Sequence, residues 1–70
     1  MAVTDPTLEQ WKAEGRIVDY RFLGGGDEHE RFDWEVKVKG LSKKEIPNFR
    51  VELANAMGTP SNFILIVIIG

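Results

Sequence analysis

Two stretches in the first half of the chain alternate between apolar and polar residues with the period of two that is typical of β-strands. The first covers residues 16–23 and the second covers residues 31–39. The apolar positions assigned to one face are Val18, Tyr20, Phe22, Phe32, Trp34, Val36 and Val38. A glycine-rich segment, residues 24–30, separates the two stretches. The pattern therefore predicts an antiparallel hairpin with a long loop, one apolar face and one charged face in water.

A short helix is predicted before the hairpin. Asp5 is suited to the N-cap and Pro6 to the first helical position. Gly15 is a natural helix end, because glycine readily adopts the left-handed conformation there. The helix has about two turns, so it needs to dock against the rest of the domain to be stable.

A second helix is predicted after the hairpin, ending at Gly58. Its apolar positions at helical spacing are Ile46, Phe49, Leu53 and Met57. Its start has two alternatives. Either Ser42 and Glu45 form a capping box, or a separate turn over residues 42–46 precedes a helix that begins at Pro47.

The last stretch, residues 63–69, is an uninterrupted run of apolar residues without charge. Such a run predicts a strand that is buried on both faces. Because a helix precedes it, we expect it to lie parallel to the second strand after a right-handed crossover.

The elements together predict one α+β domain over residues 1–70, with the order α-β-β-α-β. We expect a two-layer sandwich: an antiparallel hairpin plus a C-terminal strand, with both helices on one face. The order resembles that of a ferredoxin-like or ACT-like unit that lacks its first strand, although residues 1–4 could supply a stub of it. A shared fold of this kind says little about function.

The mismatch between the hairpin and the last strand is the main functional clue. The hairpin's outer face is charged, whereas the last strand is apolar on both faces. We predict that Ile64, Ile66 and Ile68 lie on the open face of the sheet. Ile17 and Leu23 are expected beside them. Exposed apolar patches mark contact surfaces, so these residues predict a homo-oligomer or a protein partner; the alternative is that the chain covers the strand itself.

The composition of the chain narrows the classes of function that remain. The chain has 70 residues, a net charge of −2, one histidine and no cysteine. Disulfides and thiolate chemistry are therefore excluded, and the acidic balance disfavours a dedicated nucleic-acid binder. No apolar run approaches the ~20 residues of a transmembrane helix, and no signal peptide is evident. We expect a cytoplasmic protein without a cofactor.

Three candidate chemistries each have a simpler interpretation. Gly24, Gly25 and Gly26 join two strands instead of leading into a helix, so we interpret them as a hairpin tip and not a phosphate cradle. His29 stands among acidic residues in the same loop, which favours a solvated tip over a metal site. With no nucleophile beside the histidine, we expect no enzyme.

A basic cluster follows the second strand. Its residues are Lys37, Lys39, Lys43 and Lys44. The cluster is a possible nucleic-acid contact, although ordinary surface charge is the simpler interpretation. The favoured hypothesis is thus a non-enzymatic interaction or assembly module that self-associates through its sheet. The alternatives are an ACT-like regulatory domain binding a metabolite at an oligomer interface and a weak nucleic-acid binder.

Overall fold

The computed structural model describes residues 3–24 and 32–69. Its elements are α1 (Pro6–Ala13), β1 (Asp19–Phe22), β2 (Trp34–Val38), α2 (Ile46–Met57), a short 3₁₀ turn (Ser61–Phe63) and β3 (Ile64–Ile68). β1 and β2 pair antiparallel, β2 and β3 pair parallel, and the spatial order is β1-β2-β3. The predicted α+β class, element order and strand directions are confirmed. Residues 25–30 of the glycine-rich loop, which include His29, lie outside the described residues.

The helix ends follow the local sequence. The Asp5 carboxylate accepts hydrogen bonds from the N–H groups of Thr7 (2.9 Å) and Leu8 (3.1 Å), which confirms it as the N-cap of α1. Gly58 ends α2 with φ +74°, a left-handed conformation that glycine adopts without strain.

The start of α2 matches the second of the two alternatives. Ser42 and Glu45 close a separate turn, in which the serine Oγ donates to the glutamate Oε1 at 2.8 Å. The helix then begins at Ile46, with Pro47 in its first turn, where a missing N–H costs nothing.

The core lies between the two helices and one face of the sheet. Its buried residues are Leu8, Trp11, Ile17, Val36, Val38, Leu53, Ala54 and Ile64. Both helices contribute to this single cluster, so both cover the same sheet face. The rings of Trp11 and Phe49 meet edge to face at 5.5 Å and join α1 to α2.

The prediction for the start of the first strand is wrong. Ile17 is 3% exposed and belongs to the core, whereas Val18 is 40% exposed. β1 begins at Asp19, and the residues before it are held by the end of α1: the N–H groups of Arg16 and Ile17 donate to the carbonyl of Trp11. The helix end, and not the strand pleat, therefore directs Ile17 inward.

The prediction for the faces of the last strand is also wrong. The parallel register places Ile64 opposite Trp34 and Ile66 opposite Val36. Paired residues share a face, so the even-numbered isoleucines lie on the helix-covered side. Ile64 is fully buried, and Ile66 packs partly buried against the core.

Neither helix in the described parts of the chain, residues 3–24 and 32–69, combines the length and apolar character that crossing a membrane would require. The longer one, α2, has 12 residues.

Candidate functional site

The outer edge of β3 is the most unusual surface of the described chain. β3 pairs with β2 on one side and ends the sheet on the other. Its five residues, Ile64–Ile68, contain no charge, no proline and no glycine. Charged side chains and prolines commonly protect edge strands against pairing with another chain, and β3 carries neither.

The backbone of β3 alternates between its paired side and its free side. The Phe63 carbonyl accepts from the Asp33 N–H at 2.8 Å, and the Ile69 N–H donates to the Val38 carbonyl at 2.9 Å. Alternate residues of a parallel strand point their polar groups to opposite sides. The groups of even-numbered residues therefore point outward, to the free edge.

The outward groups of β3 are mostly unpaired within the described residues. The Ile64 N–H donates to the Ser61 carbonyl, which closes the 3₁₀ turn. No main-chain group from residues 3–24 or 32–69 bonds to the outer side of Ile66 or Ile68. Unpaired strand donors and acceptors of this kind are a template for another strand.

The open face of the sheet is half charged and half aliphatic. Leu65 lies opposite Glu35, and Val67 lies opposite Lys37, in the register of β2 and β3. Both aliphatic residues are partly exposed. The aliphatic row at the open face is therefore Leu65 and Val67, and not the isoleucines that the sequence suggested.

The five predicted interface residues have different environments. Ile17 and Ile64 are buried and cannot contact a second chain; Ile66 packs on the core. Ile68 is 42% exposed at the end of β3. Leu23 lies just beyond β1, partly exposed, with its N–H donating to the Asp33 carbonyl at 2.7 Å. Leu65 and Val67 were missed, because the apolar run gives no sign of which parity faces the helices.

Opposite charges surround the other edge of the sheet, β1. Arg21 donates to both carboxylate oxygens of Glu35 at 3.2 Å. Lys12 lies 3.3 Å from the Asp19 carboxylate. The Tyr20 backbone N–H, and then Lys12, hold the pKa of the Asp19 carboxyl below its usual range.

An aromatic cluster occupies the helix-covered face beside this edge. Trp34 contacts Tyr20 (5.8 Å) and Phe22 (4.9 Å) between ring centroids, and Phe22 is 44% exposed. The Tyr20 hydroxyl donates to Glu9 and accepts from the Asp5 N–H. Burial, and then the bond to Glu9, raise the Tyr20 pKa. Tyr20 and Trp34 pack against the core, as expected for residues at strand spacing.

A shallow surface pocket of about 250 Å³ lies along α2. Its lining residues are Leu41, Glu45, Asn48, Phe49 and Glu52. Both carboxylates already have partners: Glu45 accepts from Ser42, and Glu52 pairs with Arg16 at 2.9 Å. The arginine also stacks over the Trp11 ring at 3.6 Å. The two carboxylates that line the pocket are therefore already paired with other groups of the chain.

The basic cluster lies at the end of β2 and in the turn before α2. Lys37 is partly buried and lies opposite Asp19, while the other three lysines, Lys39, Lys43 and Lys44, are exposed. Their contact with nucleic acid stays a prediction. Within residues 3–24 and 32–69, no three histidine, cysteine or acidic side chains are grouped to hold a metal ion.

No protein-family model, curated protein or solved structure matches this chain.

Proposed function

We propose that this chain is a non-enzymatic assembly module that self-associates through its sheet, with the free edge of β3 pairing with a second copy. The observation that supports the proposal is the position of an uncharged, unprotected strand at the sheet edge. Residues of this type carry high β-propensity and pair readily with another strand.

The small core gives such pairing a physical benefit. Eight hydrophobic residues are buried in the described chain, and the sequence has no cysteine to form a disulfide. Domains of this size are marginally stable, and oligomerisation is a common supplement. Pairing would give partners to the outward N–H groups of Ile66 and Ile68 and remove aliphatic surface from water.

A second copy fits this edge better than a partner of different chemistry. β3 carries no charge that would select a partner of opposite charge. A strand that pairs antiparallel with its own copy forms a two-fold interface, in which the same patch serves both chains. No like charges oppose each other within such a pair, because Ile64–Ile68 is uncharged throughout.

The test compares the same charge substitution at two valines. Val67 lies on the open face of β3, and Val51 is 47% exposed on α2. Lysine on an edge strand opposes strand pairing, so Val67→Lys should raise the dimer dissociation constant roughly tenfold or more, about 1.4 kcal/mol. Val51→Lys adds the same charge away from the edge and should leave it unchanged. Val67 suits this test better than Ile66, which packs against the core.

Sedimentation equilibrium over a wide concentration range gives the measurement, and urea unfolding of both variants confirms that they fold. A wild-type chain that remains monomeric at millimolar concentration would contradict the proposal. Equal effects of the two lysine substitutions would also contradict it, because the association would then depend on net charge and not on the β3 edge.

A further inference from the structure

We infer, on the basis of the proposed function, that two chains pair their β3 strands antiparallel about a two-fold axis at Ile66, and that the dimer is closed. Two three-stranded sheets would then form one continuous six-stranded sheet.

The backbone pattern selects the register. Even-numbered residues of β3 direct their polar groups to the free edge, so a two-fold axis at Ile66 lets the two copies of Ile66 exchange two hydrogen bonds. The Ile68 N–H then meets the Ile64 carbonyl of the second copy, for about four bonds in all. This register also overlaps all five residues, Ile64–Ile68, with the second copy.

The same register decides what lies on each face. Directly opposed residues share a face, so the helices of both chains cover one side of the six-stranded sheet. On the other side, Leu65 opposes Val67 of the second copy. The four aliphatic side chains form one contiguous apolar cluster at the centre of the open face, with Glu35 and Lys37 of each chain outside it.

The remaining edges explain why assembly stops at two chains. The dimer would expose only the two β1 edges. Each β1 has four residues, including Asp19 and Arg21, whose charges pair with Lys12 and Glu35. Short, charged edge strands resist further strand addition, so the interface closes and a filament does not grow.

Single cysteines test the register, because the chain has none of its own. In the inferred register, residues 65 and 67 of different chains are directly opposed, at a Cα separation of about 4.5 Å, within the range of disulfides. Like positions lie diagonally, about 7–8 Å apart, which is too far. We expect a mixture of Leu65→Cys and Val67→Cys to give mainly mixed disulfide dimers, which mass spectrometry separates by mass.

Each outcome of this experiment has a distinct meaning. Dimers of Val67→Cys alone would move the axis to Val67 and overturn the register, as dimers of Leu65→Cys alone would move it to Leu65. Cross-linking no greater than that of Val51→Cys, together with a monomer mass, would overturn the proposed function itself. A mass above that of a dimer would overturn the closure.

Amide exchange of the unmodified chain tests the inference without any substitution. The N–H groups of Ile66 and Ile68 point to the free edge, whereas that of Val67 points to β2. In the inferred dimer, the Ile66 and Ile68 amides exchange only when the two β3 strands separate. Their protection should therefore increase at least tenfold between protein concentrations at which the chain is monomeric and those at which it is dimeric. Unprotected Ile66 and Ile68 amides in a proven dimer would overturn the pairing of β3.

Discussion

The two edge strands of the sheet, β1 and β3, differ in the charge that they carry. β1 has four residues with charges at Asp19 and Arg21, and both charges have partners nearby. β3 has five residues without any charge. Both edge strands pair with the same central strand, β2. The two edges therefore differ in their side chains and not in their place in the sheet.

The charges of β1 act more as protection than as stabilisation. The Lys12 and Asp19 side chains are 47% and 55% exposed, and the ion pairs of such exposed groups contribute about 0–1 kcal/mol. Charged side chains nevertheless prevent another strand from approaching, because pairing would remove them from water. One edge of the sheet therefore carries charges that oppose strand addition, whereas the other carries none.

The largest expected effect comes from removing this protection. Replacing both Asp19 and Arg21 by valine gives the sheet two uncharged edges, so each dimer would expose two sites for further strand addition. We expect the double variant to form assemblies larger than a dimer, with a mass that grows with concentration, in sedimentation velocity.

The matched control replaces the same residues with Asn and Gln, which lose the charge but keep hydrogen-bonding groups that need water. This control should grow much less. A valine double variant that stays a dimer at high concentration would show that the charges of β1 do not limit assembly.

The two faces of β3 give the next effect. Ile64 is fully buried in the core, whereas Val67 is partly exposed on the open face. Ile64→Ala should lower the free energy of unfolding by ~2–5 kcal/mol, because it leaves a cavity between α2 and the sheet. Val67→Ala should cost about 1 kcal/mol or less at concentrations where the chain is monomeric.

Urea unfolding followed by tryptophan fluorescence gives both values. The sequence pattern predicts Ile64 on the open face, whereas the structure places it in the core. Equal costs at the two positions would mean that the parallel register of β2 and β3 is wrong.

The sequence predicts the hairpin well because the second strand has one apolar and one charged face. Burying the wrong face would place Glu35 and Lys37 in the core, so the alternation determines the orientation. The last strand lacks this information. A shift of one residue exchanges its faces, and both faces are aliphatic, so only the pairing of Val36 with Ile66 decides which one packs on the helices.

The predicted interface set failed for the same reason at β3 and for a different reason at Ile17. The strand period assigns Ile17 to the charged face, but the chain is still bound to the end of α1 at that residue, through the Trp11 carbonyl. The alternation of apolar and polar residues does not indicate at which residue a strand begins. The uncharged character of residues 64–68, which motivates the proposed function, was readable from the sequence without the register.

The smallest expected effect is the pH dependence contributed by Asp19 at the protected edge. Its folded-state pKa is lowered from 3.8, so the folded chain binds fewer protons in acid than the unfolded chain. The stabilisation is therefore complete well above pH 3.8, where the unfolded-state carboxyl is ionised, and is lost as the pH falls through the folded-state pKa. Asp19→Asn should make the free energy of unfolding decline less steeply between pH 5 and the acid limit of folding.

Lys12→Met tests which contact produces this dependence. The Tyr20 backbone N–H is the largest cause of the lowered pKa, and Lys12 comes after it, so removing the lysine should flatten the acid slope less than Asp19→Asn does. Urea titrations at several pH values measure the three slopes. An equal slope for wild type and Asp19→Asn would mean that Asp19 serves the β1 edge by excluding other strands, without any contribution to the acid stability of the fold.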